Sequence, residues 1–336
     1  MRFIVAVVFW AFSIAAAQCG PAAVQTILDS WTDASRDRII PYKVYFSAST
    51  GQQPVILFSH GLGGNREGSA YLMEHWAANG FVVIALQHPG SDTDALRSGA
   101  GATTDPQAMR AALARAMTGA VAVERFRDVP FAIDQLSALN TGSSPLKNRL
   151  NLNRIGMSGH SFGALTTLAL AGETLGQGES FADQRIKAAI AMSPNAPRGV
   201  DPVVAFAGIH IPTLHMTGTD DGNPLGNSSP LSSMGQFQTK PSDRIVPYAS
   251  IKGTDKFLLV LAGGDHMVFS GRRLTGQAKP TDDVHHDLIK AASLAFWNAY
   301  LLEKSNSRAF LTDGSFQKMA GANGRFEYEM NSLGLK

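Results

Sequence analysis

The sequence predicts an α/β fold with a mostly parallel central sheet and helices on both faces. Short apolar runs at 54–59, 81–87 and 256–264 have the composition of strands that are buried on both sides. Segments with a helical spacing of apolar residues lie between such runs, as at 69–80 and 282–304. Apolar strands that alternate with helices predict a parallel sheet covered on both faces.

The elements follow one another in a regular order. Residues 21–38 are expected to form a helical lead-in, and residues 41–47 alternate enough to be a strand. Gly80 is typical of a helix C-terminus, and Thr281 or Asp282 of a helix start. The later strands are predicted at 54–59, 81–87, 153–159, 185–194, 211–218 and 256–264, and the helices at 69–80, 123–139, 162–173 and 282–304.

The N-terminal residues have the pattern of a secretory signal peptide. Arg2 precedes an apolar stretch at 3–17 that ends in three alanines, so we expect cleavage near Ala17 and a secreted or periplasmic protein. The stretch is shorter than a membrane span, which needs about 20 apolar residues. Cys19, the single cysteine, raises the alternative of a lipid-modified N-terminus, but Gln18 before it is larger than the residue such signals use.

Two segments fit no strand–helix unit. Residues 91–118 begin as a loop rich in Gly, Ala and Thr and continue as a candidate helix, and residues 222–252 are rich in Gly, Pro and Ser. Loops of this length are usually functional or disordered. Because both leave strand ends on the presumed active face, we expect them to cover a site as lid segments. The prediction is one domain over 21–305 after a signal peptide at 1–17, with a polar extension at 306–336 that packs on the same domain.

Composition and motifs argue against several function classes. The chain has 29 basic and 27 acidic residues and a net charge of +2, which gives no reason to expect nucleic acid as a partner. It contains no H-E-x-x-H motif, no Cys/His metal spacing, no P-loop and no dinucleotide fingerprint. We therefore expect a small-molecule substrate and no cofactor or metal, and the oligomeric state stays open.

The stretch GHSFG at 159–163 is a G-x-S-x-G pattern between an apolar strand and an apolar helix. Such a turn lifts a serine oxygen out at the edge of a sheet, and small residues on either side prevent collisions there. The N–H groups at the start of the following helix favour negative charge near the serine. Ser161 is therefore the candidate nucleophile, and a plain strand–helix turn is the alternative.

A serine nucleophile needs a base and an acid that orients the base. His266 closes a strand followed by two glycines, which places it at the carboxyl edge of the sheet where sites of such folds form. For the acid, Asp220 and Asp221 compete at the end of another strand; we favour Asp221, and Asp243 is a third choice. The chain order serine, aspartate, histidine is the one expected for a hydrolase on this type of sheet.

An oxyanion needs backbone donors near the serine. The segment SHGLGG at 59–64 leaves a strand with three glycines and one leucine. The N–H groups of Leu62 and of Phe162, the residue after the nucleophile, are the natural pair of donors. A flexible glycine turn is the alternative interpretation of this segment.

These stretches resemble the α/β-hydrolase superfamily. Within it, the chain resembles the branch of platelet-activating-factor acetylhydrolases and predicted dienelactone hydrolases. The resemblance rests on residues 58–92, 127–136, 155–167 and 261–272 and covers roughly 36–304. It implies the α/β-hydrolase fold and hydrolysis of carboxylic esters with short acyl groups, and it does not fix the alcohol part of the substrate.

The resemblance also implies roles for individual residues. The nucleophile carries over to Ser161, the base to His266, the oxyanion donors to Leu62 and Phe162, and the acid to Asp221. True dienelactone hydrolases use cysteine at the nucleophile position, so that substrate does not carry over.

The leading hypothesis is a serine esterase that works through a covalent acyl-enzyme. The alternatives on the same residues are a lipase, a polyester hydrolase or a peptidase. From another class, the alternative is a non-catalytic binding protein on a hydrolase scaffold.

Overall fold

The computed structural model describes residues 23–48, 51–100, 105–176, 178–195, 197, 199–222, 239–271 and 278–331. Strands and helices alternate along most of this range, as predicted. The strands are β1 Val24–Asp33, β2 Arg38–Ser47, β3 Gln53–Ser59, β4 Val82–Leu86, β5 Leu150–His160, β6 Thr174–Leu175, β7 Glu179–Ser180, β8 Ile186–Met192, β9 Thr213–Asp220, β10 Lys256–Asp265 and β11 Gly324–Glu329. The helices are α1 Ala70–Ala78, α2 Thr93–Ala100, α3 Pro106–Ala116, α4 Gly119–Thr141, α5 Phe162–Ala171, α6 Pro202–Phe206, α7 Val246–Ser250, α8 Asp282–Tyr300, α9 Ser305–Thr312 and α10 Ser315–Ala320.

A nine-stranded sheet runs through the molecule in the order β1-β2-β4-β3-β5-β8-β9-β10-β11. The strands from β4 to β10 in this order are parallel, while β1, β2 and β11 run antiparallel to their neighbours. All the parallel strands therefore end at one edge of the sheet. The predicted α/β fold with a mostly parallel sheet is confirmed.

Both faces of the sheet are covered by helices. Val55 and Leu57 of β3 pack in one apolar cluster, which includes residues of α4, and Ile56 and Phe58 pack in another with residues of α1 and α8. Successive side chains of a strand point to opposite faces, so a run of consecutive apolar residues fits a strand with helices on both sides. This explains why the central strands lack polar alternation.

The two ends of the chain build the edges of the sheet, and the sequence interpretation differs there. The helical lead-in expected over 21–38 is wrong, because Val24–Asp33 forms β1 and pairs with β2 over ten residue positions. Most of its side chains are at least partly exposed, so the strand lacks the period that would have marked it. Within 306–336, β11 pairs with β10 as an edge strand, where we had expected only a surface extension.

Parts of the predicted organisation lie outside the described residues. These are the signal peptide over 1–17 with Cys19, and much of the segment 222–252. Of the other predicted lid segment, 91–118, the structure describes α2 and α3. No helix of the described ranges combines the length and apolar character needed to cross a membrane.

Candidate active site

Ser161 sits in the turn between β5 and α5 with φ 58° and ψ −114°. An L-residue rarely adopts a positive φ of this kind, which costs on the order of 1–3 kcal/mol. The flanking glycines are required by close packing. A Cβ on Gly159 would lie 2.3 Å from the carbonyl oxygen of Gly163, and one on Gly163 would lie 1.8 Å from the carbonyl oxygen of Ser59. The absence of side chains at these two glycines therefore lets the strained turn pack closely against β3.

His266 and Asp221 lie next to Ser161, although they are far from it in sequence. The His266 Nε2 atom is 2.9 Å from Ser161 Oγ, and its Nδ1 atom is 2.8 Å from Asp221 Oδ1. Both residues follow strand ends, His266 after β10 and Asp221 after β9. An imidazole that donates from Nδ1 to a carboxylate has Nε2 free to accept the serine proton.

The two alternative acids are elsewhere. Asp220 is exposed, and its Oδ1 accepts a hydrogen bond from Thr219 Oγ1. Asp243 accepts a hydrogen bond from the backbone N–H of Lys240. Of the three aspartates considered in the sequence, the structure brings Asp221 to His266.

The Asp221 carboxylate is fully buried and is held by donors on both oxygens. Its Oδ2 accepts hydrogen bonds from Ser193 Oγ at 2.5 Å and Thr217 Oγ1 at 2.9 Å. Burial raises the pKa of this carboxyl, but His266, Arg244 and the Ser193 hydroxyl outweigh that effect, so the pKa lies below its usual range. The group is an anion beside the imidazole, and its Oδ1 atom holds the ring at Nδ1.

Arg244 is a buried neighbour of this pair that sequence reasoning missed. Its Nε atom is 3.3 Å from Asp221 Oδ1, and its Nη1 atom donates to the carbonyl of Ser193 and to the side chain of Asn195. Its Nη2 atom is 3.2 Å from His266 Nδ1, which cannot accept from it while donating to Asp221. The guanidinium therefore ties together the ends of β8 and β9.

Ser193 gave one signal that could have been used. Ser193 follows β8 directly, and the other residues that the sequence marked as site candidates also follow strands. Arg244 gave none, since it lies in the 3₁₀ turn Pro241–Ile245, far from the other residues in the sequence.

The two predicted oxyanion donors lie beside Ser161. Leu62 and Phe162 line the same pocket as Ser161 and His266. Within the described part of the chain, neither of their backbone N–H groups has a hydrogen-bond acceptor. Unpaired N–H groups next to a serine are suited to receive a negatively charged oxygen.

The pocket has a volume of about 350 Å³, near the lower end of the range for small-molecule sites. Apolar side chains such as Leu62 and Leu165 form much of its wall. Glu173 lines it as well, beyond the end of α5. Nothing in the sequence marked this glutamate, because it follows an apolar helix without a motif.

A second set of hydrogen-bonded residues includes Ser59, which begins the segment 59–64 that carries Leu62. His88 Nε2 is 2.9 Å from Ser59 Oγ, and His88 Nδ1 is 2.9 Å from Asp128 Oδ2. Asp128 also accepts hydrogen bonds from Arg36 and Arg38. Burial and the charge of nearby Arg125 lower the pKa of His88 to about 4, so this imidazole is neutral near pH 7.

Arg125 links this second set to the Ser161 turn. Its Nη2 atom donates to Ser59 Oγ at 2.9 Å and to the carbonyl oxygen of His60. Its guanidinium carbon lies 4.4 Å from the centre of the Phe162 ring, within range of a cation–π contact. One buried side chain therefore contacts both segments that present unpaired N–H groups.

Among the described residues, no group of three His, Cys, Asp or Glu side chains is arranged to hold a metal ion.

Two comparisons with known proteins found matches to this chain. The family profile described as "alpha/beta hydrolase fold" matches residues 54–227. The chain is also similar to platelet-activating factor acetylhydrolase of Cavia porcellus, with 25% identity over 293 residues. That alignment covers 78% of this chain and 61% of the relative, so the chain spans about three fifths of the relative's length. From the profile match, together with the sheet, we conclude that the chain belongs to the alpha/beta hydrolase family.

Proposed function

We propose that the protein is a serine hydrolase of carboxylic esters that works through a covalent acyl-enzyme. The observation that carries the proposal is the continuous path of hydrogen bonds from Asp221 through His266 to Ser161, at a pocket with two unpaired N–H groups. A binding protein on the same scaffold would have no use for this path.

In the first half of the reaction, Ser161 Oγ attacks the ester carbonyl carbon and its proton moves to His266 Nε2. The carbonyl oxygen becomes an oxyanion and accepts hydrogen bonds from the N–H groups of Leu62 and Phe162. Asp221 stabilises the imidazolium and fixes the ring. When the intermediate collapses, the alcohol leaves with the proton from Nε2, and the acyl group stays on Ser161.

In the second half, a water molecule gives a proton to His266 Nε2 and its oxygen attacks the acyl carbon. Collapse of this intermediate breaks the bond to Ser161 Oγ, which takes the proton back, and the acid leaves. The same two N–H groups serve both intermediates.

A preference for short acyl groups is supported by the pocket volume of about 350 Å³ and by the acetyl group in the relative's name. A panel of 4-nitrophenyl esters of increasing acyl length tests it, and long-chain, polyester and peptide substrates separate the lipase, polyester hydrolase and peptidase alternatives. The preference predicts kcat/KM values that fall as the acyl chain grows beyond the pocket.

The test of the mechanism is Ser161→Ala with 4-nitrophenyl acetate as substrate. We expect kcat to fall by about 10⁴-fold or more, because the nucleophile is lost. The matched control is Ser137→Ala, which changes an exposed serine on α4. Turnover by Ser161→Ala that equals turnover by the control, both folded by circular dichroism, contradicts the proposal.

A further inference from the structure

The active-site pocket contains a buried carboxyl group without a protein partner. Glu173 is 1% exposed, and neither Oε1 nor Oε2 has a hydrogen-bond partner among the described residues. Buried polar groups in native proteins are nearly always hydrogen-bonded, and leaving such a group unpaired destabilises the fold. Because Glu173 lines the pocket, a molecule that enters the pocket is in a position to supply the missing partner.

The position of Glu173 is fixed by the backbone before it. Gly172 has φ +125°, and a Cβ there would lie 2.2 Å from the carbonyl oxygen of Gly208. The Glu173 N–H donates to the carbonyl of Leu168 at 2.8 Å. The glutamate is therefore held at the C-terminal end of α5, while Ser161 lies at the N-terminal end. Since α5 has ten residues, the two ends are roughly 15 Å apart.

The charges of the pocket differ at its two ends. Arg244 and His266 lie beside Ser161, and Arg244 is already paired with Asp221. At the other end Glu173 forms no ion pair within the described ranges. A positively charged group of a ligand is therefore disfavoured beside Arg244, and at the other end it meets a carboxyl group that can ionise to pair with it.

We propose that Glu173 binds a protonated amine, so that the pocket accepts esters with an alkylammonium group remote from the ester bond. The proposal rests on the function proposed above and adds the substrate class. An ammonium group matches the carboxylate because charge-assisted hydrogen bonds are stronger than neutral ones. The apolar wall between the two ends, which includes Phe162 and Leu165, suits the alkyl chain.

A change in the protonation of Glu173 should accompany this binding and can be measured. Burial raises the pKa of Glu173 to about 8, so the carboxyl group is largely protonated at neutral pH while the pocket is empty. A bound ammonium favours the ionised carboxylate. Binding therefore displaces a proton from Glu173, and a neutral alcohol of the same length displaces none.

The test is calorimetric titration of Ser161→Ala protein with octylammonium chloride and with octanol near pH 7. We expect octylammonium to bind about tenfold more tightly or better, with release of up to one proton, measured in two buffers of different ionisation enthalpy. In the double variant Ser161→Ala/Glu173→Gln, both the preference for octylammonium over octanol and the proton release should be lost. The double variant Ser161→Ala/Glu179→Gln, which changes an exposed glutamate on β7, should retain the preference and the proton release.

Equal affinity for the two ligands, no binding of either, or binding without proton release overturns the proposal. The proton count is measured with Glu173 in place, so it decides even if the Gln variant fails to fold. Because Ser161→Ala protein is used, the result does not depend on turnover. Failure of ester hydrolysis would reject the proposed function, and failure of this titration would reject the Glu173 site.

Discussion

Two sets of Ser, His and Asp side chains in this molecule share one pattern of hydrogen bonds. In the first, Ser161, His266 and Asp221 are joined at 2.9 and 2.8 Å. In the second set, whose members are Ser59, His88 and Asp128, both distances are 2.9 Å. Hydrogen-bond distances alone therefore do not distinguish the proposed nucleophile from its counterpart.

The surroundings of the two sets differ. Ser161 lines a pocket beside two unpaired N–H groups, whereas Ser59 is fully buried and accepts a hydrogen bond from Arg125. The acid of the second set is paired with two arginines, whereas Asp221 is paired with one, Arg244. What makes a serine suited to catalysis here is access, an oxyanion site and a carboxylate whose charge acts on the imidazole.

The largest expected difference is between Asp221→Asn and Asp128→Asn. Asp221→Asn should lower kcat about 10⁴-fold in a folded protein, because the imidazole loses its orientation and counter-charge. Asp128→Asn should instead lower the free energy of unfolding by about 3–5 kcal/mol, because it removes the carboxylate that pairs with the largely buried Arg38 guanidinium. Initial rates and urea unfolding measure the two effects.

An equal loss of activity per folded molecule in these two variants would remove the distinction between the two sets. Retention of activity by Asp221→Asn would remove the assigned acid.

A third buried carboxyl, Glu173, should respond to pH in the opposite sense to the aspartates. Its pKa is raised from 4.5 to about 8 by burial, so between these values the folded protein holds a proton that the unfolded chain has lost. The free energy of unfolding should therefore decrease as pH rises through this window, by up to about 1.4 kcal/mol per pH unit. Asp221, whose pKa is lowered, stabilises the fold above its unfolded pKa and loses this effect only in acid.

Urea unfolding of wild type and Glu173→Gln from about pH 5 to about pH 8 measures the slope that Glu173 contributes. The difference in free energy between the two proteins should change steadily in favour of the Gln variant as pH rises. Parallel curves for the two proteins would show that Glu173 does not hold a proton in the folded state.

The smallest expected effect concerns Arg125, the side chain between the two sets. Arg125→Lys keeps the charge but loses the fork of donors that holds the His60 carbonyl and lies over the Phe162 ring. Since these segments present the oxyanion N–H groups, we expect kcat to fall about tenfold with little change in KM. Arg127→Lys, an exposed position on the same helix, is the matched control.

If Arg125→Lys lowers the free energy of unfolding but leaves kcat unchanged, the second set stabilises the fold and does not affect the reaction.

Local pattern explains which parts of this structure could be predicted from sequence. The parallel strands and the Ser161 turn were predictable because an apolar run, a helix period and a glycine at each side are properties of adjacent residues. The lack of room for a Cβ at Gly159 and Gly163 is the steric reason for the glycines that the motif implied. The edge strand β1 was missed because its half-exposed side chains show no regular period.

Contacts between distant segments explain what could not be predicted. Asp128 reaches His88 from a helix 40 positions further along the chain, and Arg244 reaches the carbonyl of Ser193 across 51 positions. No local spacing reports such approaches. Asp221 was favoured over Asp220 in the sequence, but no local spacing showed which of the two carboxylates meets His266.

The antiparallel strands at the two edges of the sheet have a consequence for solubility. A bare edge of a parallel sheet offers unpaired backbone groups to other chains, and intermolecular strand addition begins there. Here the outermost strands carry exposed charge: β1 bears Asp29, and β11 bears Arg325, Glu327 and Glu329. Such side chains disfavour the addition of a further strand from another molecule. The apolar parallel strands that position the site are thereby separated from other molecules by two edge strands that carry charge.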